Sequence, residues 1–148
     1  MPITLRMACE RGNLEAARAA LTRGEDVNSK NDYGCTPLMY AVIYKKKNSV
    51  VRLLLEQPAL DLNLADYKEG DTALHLAVII DNVEGVRLLL ADPRLDPNQK
   101  TNFGNTPVMH AMSYRKVDAL RELVAHPSVD LDTRDRWGRS LEEVARSW

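Results

Sequence analysis

The sequence predicts an all-α solenoid, a stack of helix-turn-helix units with short β-hairpins or turns projecting between them. Three observations carry this expectation. Four glycines, Gly34, Gly70, Gly104 and Gly138, recur at intervals of 36, 34 and 34 residues. Each opens a similar run that closes on alanine seven positions later, as in Gly34-Cys35-Thr36-Pro37-Leu38-Met39-Tyr40-Ala41 and Gly104-Asn105-Thr106-Pro107-Val108-Met109-His110-Ala111. After each run, apolar residues keep helical spacing until proline or aspartate interrupts them. A period of this length signals stacked supersecondary units, which share one long surface and lack a deep pocket. Binding is therefore expected ahead of catalysis.

The elements follow in order. The first unit, about residues 1–30, holds Ala8, Gly12, Leu14, Ala17, Ala20, Leu21 and Gly24 at repeat positions. With no hairpin before it and no capping threonine expected, it is predicted to be an N-terminal cap. Full repeats are predicted at about 31–65, 66–100 and 101–134, with a half-repeat cap at about 135–148, all in one domain spanning 1–148. In the unit opened by Gly70, Thr72 is placed to cap a helix, and Leu74, Ala77 and Val78 share one face. Asp81-Asn82 forms a polar turn. Val83, Val86, Leu89 and Leu90 then line one side of a second helix, which Pro93 and Pro97 bring to an end. Leu54, Leu55, Pro58, Asp61 and Asn63 repeat this pattern, as do Leu123, Val124, Pro127, Asp130 and Asp132.

In the last unit Ser140 and Glu143 have capping-box spacing. Leu141, Val144, Ala145 and Trp148 form its apolar stripe, with Glu142 and Arg146 turned outward. Two insertions mark the repeat opened by Gly34, one within Lys45 to Asn48 and one in Asp66-Tyr67-Lys68-Glu69-Gly70. That repeat is predicted to be the least rigid.

These residues resemble the ankyrin repeat family. The resemblance rests on Thr36-Pro37-Leu38, Thr106-Pro107-Val108, the pairs Leu54-Leu55 and Leu89-Leu90, and the steps Asp26-Val27-Asn28, Asp61-Leu62-Asn63 and Asp96-Pro97-Asn98, and it covers nearly the whole chain. It implies a protein-binding module. The family's histidine, which bonds the threonine three residues earlier, survives as His75 with Thr72. Met39 and Met109 hold the matching positions, where no such bond is expected. The resemblance also implies that Asn28, Asn63 and Asn98 can be substrates of an asparaginyl hydroxylase in animal proteins. A second reading, a dedicated enzyme inhibitor similar to the ankyrin-type inhibitors of cyclin-dependent kinases, draws on chain length, repeat number and the Asp135-Arg136-Trp137-Gly138-Arg139 turn.

Composition narrows the function further. The 148 residues carry 20 Lys and Arg against 21 Asp and Glu, a net charge of −1, so no global basic field exists for nucleic acid or anionic membrane. The run Lys45-Lys46-Lys47 is expected to be a solvated helix end. Cys9 and Cys35 sit at different repeat positions, which argues against a disulfide framework and for the cytosol or nucleus. The N-terminus has no secretory pattern, and no apolar stretch approaches membrane-spanning length. His75, His110 and His126 occupy unrelated positions without metal-ligand spacing, and neither nucleophile motifs nor phosphate-cradling loops occur. No enzyme activity, cofactor or metal is expected.

The candidate binding residues lie on the projecting turns. Tyr33, Phe103 and Trp137 immediately precede their glycines, and Tyr67 precedes Gly70 by three. Such rings either brace the turn against its neighbour or meet a partner. In the family the ends of the first helices face the groove, which places Tyr44, Ile79, Ile80 and Tyr114 there, with one isoleucine free to turn back into the core. Lys45, Lys46, Arg115 and Lys116 would form a charged rim. The expected partner is another protein bound by a monomer.

Overall fold

The computed structural model describes residues 1–44 and 48–147. The helices fall in pairs: α1 Leu5–Arg11 with α2 Leu14–Thr22, α3 Pro37–Ile43 with α4 Ser49–Leu55, α5 Ala73–Ile79 with α6 Val83–Leu90, and α7 Pro107–Ser113 with α8 Val117–Ala125. A final helix, α9, spans Leu141–Ala145. Helices this short are unstable alone, so packing must hold them. They pack in two rows. The first helices touch in the order α1, α3, α5, α7, α9, and the second helices in the order α2, α4, α6, α8. The core runs between these rows, with Leu38, Met39, Leu54, Leu74, Leu89, Met109 and Leu123 fully buried.

Every first helix begins at a hydroxyl cap. The side chains of Thr4, Thr36, Thr72, Thr106 and Ser140 each accept from the backbone N–H three residues on. This corrects the expectation for the first unit, in which Thr4 supplies the cap. The predicted capping box of Ser140 and Glu143 forms. Proline at the first helical position of α3 and α7 costs nothing, because that N–H has no intrahelical partner. Met39 also departs from expectation. Its Sδ accepts from Thr36 N–H at 3.4 Å, a weak version of the bond a histidine would make.

The projecting segments are tight turns more than hairpins. Asn31 N–H donates to Cys35 O at 3.1 Å and Gly34 N–H to Asn31 O at 2.9 Å. The same pair of bonds closes the turns at Thr101 and Asp135. Among the described residues, strand pairing is limited to one antiparallel bridge, between Ala65 and Thr72. The side chains of Asn31, Asp66, Thr101 and Asp135 each accept backbone N–H groups of their own turn, which fixes the tips without a sheet.

Asparagine links one unit to the next. Asn28 Nδ2 donates to Ala59 O at 2.7 Å, and its Oδ1 accepts from Asp61 N at 2.8 Å. Asn63 does the same with Arg94 O and Asp96 N, and Asn98 with Ser128 O and Asp130 N. On the outer row Arg52 pairs with Glu84, and Arg87 with Glu122 at 2.9 Å. These exposed ion pairs add little beside the buried helix faces.

Candidate protein-binding surface

The turns place their rings in solvent. Tyr33 is 72% exposed, Trp137 70% and Tyr67 63%, with Phe103 also exposed. At the ends of the first helices Tyr44 and Tyr114 are exposed, while Ile79 and Ile80 are both half-buried. Apart from Tyr40, whose hydroxyl accepts from Asn31 Nδ2 at 2.8 Å, every Phe, Tyr and Trp side chain among the described residues is exposed. Most of these rings are apolar surface that the fold leaves uncovered.

The tips are registered to one another by backbone bonds. Tyr67 N–H donates to Tyr33 O at 2.9 Å, and one repeat later Asn102 N–H donates to Glu69 O at 2.8 Å. Tyr67 therefore stands where Asn102 stands in the next turn, and Glu69 takes the place of the pre-glycine ring. The insertion has moved an aromatic sideways onto the preceding tip: a β-carbon on Gly34 would fall 2.7 Å from Tyr67 Cγ. Cations accompany the rings. Lys30 Nζ lies 4.9 Å from the Tyr67 centroid, and Arg139 Cζ 5.0 Å from that of Trp137. Arg136 lies between Phe103 and Trp137, with its Cζ 5.8 and 5.5 Å from their centroids. Bracing and exposure thus coexist at Tyr67, Phe103 and Trp137, each of which has a cation near its ring and stays exposed.

Of the expected rim, Arg115 is exposed and Lys116 half-buried. Lys45, Lys46 and Lys47, including the predicted basic helix end and extended turn, lie outside the described residues, as does Trp148. The rest of the last helix's stripe behaves as predicted, with Val144 buried and Glu142 paired outward with Arg146.

Against Tyr114 lies a histidine cluster that the sequence did not reveal. His75 is fully buried. Its Nδ1 accepts from Thr72 N–H at 3.2 Å, which leaves the ring proton on Nε2, donated to Asn105 O at 3.0 Å across the repeat junction. The His110 ring meets it edge-on at 5.0 Å, and Tyr114 meets His110 edge-on at 5.5 Å. His110 is buried as well. Burial pushes His75 down to about 4, with His110 adding to the effect, and pushes His110 down to about 4. Their separation in sequence, one repeat plus one position, was the available signal.

Elsewhere the chemistry is quiet. Both cysteines are free thiols, and burial raises Cys9 to about 12, far from the range of a reactive thiolate. Among the described residues no group of three His, Cys, Asp or Glu side chains is arranged to hold a metal ion, and no helix is long and apolar enough to cross a membrane.

Two rows of short helices, the first row hydroxyl-capped, with tight turns bonded tip to tip agree with a family model described as ankyrin repeats (3 copies), which matches residues 5–101. The chain belongs to the ankyrin repeat family. Its stack is thus of a kind that serves as a protein–protein interaction module and is generally non-enzymatic. Among curated relatives, E3 ubiquitin-protein ligase XBAT33 of Arabidopsis thaliana is 36% identical over 121 residues, covering 81% of this chain and 23% of that protein. Probable E3 ubiquitin-protein ligase XBOS33 of Oryza sativa subsp. japonica is 41% identical over 88 residues, covering 60% of this chain and 16% of that protein. SMC5-SMC6 complex localization factor protein 1 of Homo sapiens is 42% identical over 67 residues, 45% of this chain and 6% of that protein. The ankyrin stack spans less than a quarter of the length of each of these relatives.

Proposed function

We propose that this ankyrin stack docks a segment of another protein along its turn tips and concave face, as a monomer and without a cofactor. Tyr33, Tyr67, Phe103 and Trp137 supply the tip contacts, and Tyr44, Ile79, Ile80 and Tyr114 extend them into the groove. The observation that carries this reading is the exposure of four rings on four successive turns, an amount of apolar surface that a stack gains nothing from showing to water. Aromatic anchors contribute most where they are desolvated on binding, and guanidinium groups such as that of Arg136 fit the rim of such a contact. A reducing compartment, cytosol or nucleus, suits the two free thiols. Relatives in which the matched stretch is a small part of a chain named as a ubiquitin ligase or a localization factor support a recruiting role.

The test is affinity capture with three versions of the chain: wild type, a tip variant with Tyr33, Phe103 and Trp137 all replaced by alanine, and an outer-row control, Arg87→Ala. Proteins held by the wild type and the control should be lost at least tenfold from the tip variant, whose helical circular dichroism stays intact. Retention by the tip variant overturns the reading. Should the triple variant unfold, Trp137→Ala alone, made where nothing crowds Gly138, decides between contact and bracing.

A further inference from the structure

Asp71 follows Gly70 on the turn before α5, and His110 lies on α7 one repeat later. Asp71 Oδ1 and His110 Nδ1 face each other at 3.9 Å, and neither atom has a hydrogen-bond partner. Both side chains are more than nine-tenths buried. With the His110 ring proton on Nε2 both atoms are acceptors, and two acceptors side by side are costly, because each has given up water without compensation. One proton between them would satisfy both after a shift of about 1 Å to hydrogen-bond distance.

We propose that Asp71 and His110 form a proton-binding pair across the junction of the third and fourth repeats: a proton taken from solvent binds Asp71 Oδ1 and is donated to His110 Nδ1. The His110 ring keeps its own proton on Nε2, so the pair goes from charge −1 to neutral as the bond forms.

The surroundings favour uptake. On the same turn as Asp71, Asp66 and Glu69 are negative, and Asp66 Oδ1 is fixed by accepting from the N–H groups of Glu69, Gly70 and Asp71. Lys68 on that turn is exposed. His75 on α5 has both ring nitrogens committed, and Tyr114 closes the end of α7. Acids on the packed helices are engaged elsewhere: Asp118 with Arg121 and Glu122 with Arg87 on α8, Glu142 with Arg146 and Glu143 with Ser140 on α9. Burial first, then Asp66 and Glu69, raises Asp71 to about 6, while burial lowers His110 to about 4, which puts the proton on oxygen and not on the ring. Because Tyr114 packs on His110, uptake would be felt at a groove ring. That consequence rests on the docking reading above, whereas the pair itself does not.

Nitrogen-15 spectra of the His110 imidazole, recorded alongside the Asp71 carboxyl carbon from pH 7.5 to 5, test the pair directly. His110 Nδ1 should show an unbonded, unprotonated signal at pH 7.5 that moves to the hydrogen-bonded position with the same midpoint as the carboxyl, near 6. In Asp71→Asn the amide donates in place of the acid, so Nδ1 should stay at the bonded position at every pH. A proton already on Nδ1 at pH 7.5 would overturn the proposal, as would a carboxyl titration that leaves the ring unmoved. The wild-type titration decides the matter even if the variant fails to fold.

Discussion

Tyr67 is held against the preceding turn from two directions: its N–H donates to Tyr33 O at 2.9 Å, and its ring packs where a β-carbon of Gly34 would be. The edge that carries the turns is thus stitched together by its own backbone, and substitutions at two glycines separate the effect of that contact from backbone strain. Gly34 and Gly138 share a φ of +78°, but a β-carbon added to Gly138 would meet nothing within 4 Å. Gly138→Ala should cost roughly 1–2 kcal/mol, the left-handed penalty alone. Gly34→Ala should cost at least about 1 kcal/mol more because Tyr67 must move. Urea unfolding of the two variants measures the difference, and equal losses would show that the Tyr67 contact contributes nothing.

Leu89 is fully buried on α6 between the rows. Leu89→Ala should destabilise the stack by roughly 2–5 kcal/mol, transfer and cavity terms together. A loss below about 1 kcal/mol in denaturant melts would mean that the rows can collapse around the missing side chain.

Asn63 bonds both Arg94 O and Asp96 N of the following unit. Asn63→Ala removes two inter-repeat hydrogen bonds, at about 1 kcal/mol each. Hydrogen exchange offers the sharper readout, since faster exchange should appear at the Asp96 amide and not at that of Asp61, which Asn28 protects.

Acid should weaken the fold, and the signs can be separated. His75 and His110, held near 4, contribute stability that is present above their ordinary value of 6.5 and lost as pH falls through 4. Asp71, raised to about 6, acts in reverse: its contribution is present below its ordinary 3.8 and lost as pH rises through 6. Between pH 6 and 4 the net slope should correspond to one proton, about 1.4 kcal/mol per pH unit. Asp71→Asn removes the opposing contribution, so its stability should fall about twice as steeply over that range while gaining at neutral pH. Chemical denaturation at several pH values checks both slopes, and parallel curves for the two proteins would contradict the assignment.

Local periodicity made most of the fold legible. Thr36, Thr72 and Ser140 announce helix starts, Leu89 and Leu90 mark a buried stripe, and the spaced glycines set the stacking, because each signal lies within a few residues of its effect. The exposed rings were also legible, since Tyr33, Phe103 and Trp137 hold fixed places beside a glycine. What stayed hidden depends on neighbours a whole repeat away. Tyr67 seemed another pre-glycine ring until the bond to Tyr33 showed that the insertion had shifted it by a register. Asp71 and His110 carry no shared motif, and only stacking brings them together. The role of Thr4 was missed because the first unit has no glycine turn before it to flag the cap.

The asparagine bonds between units bear on how the chain would respond to tension. Each joins only adjacent units, so a pull on the two ends meets them in series, and the weakest junction opens first while those on either side keep their register. A partner lying across several turns would bridge such a junction in parallel and stiffen the stack against the same load.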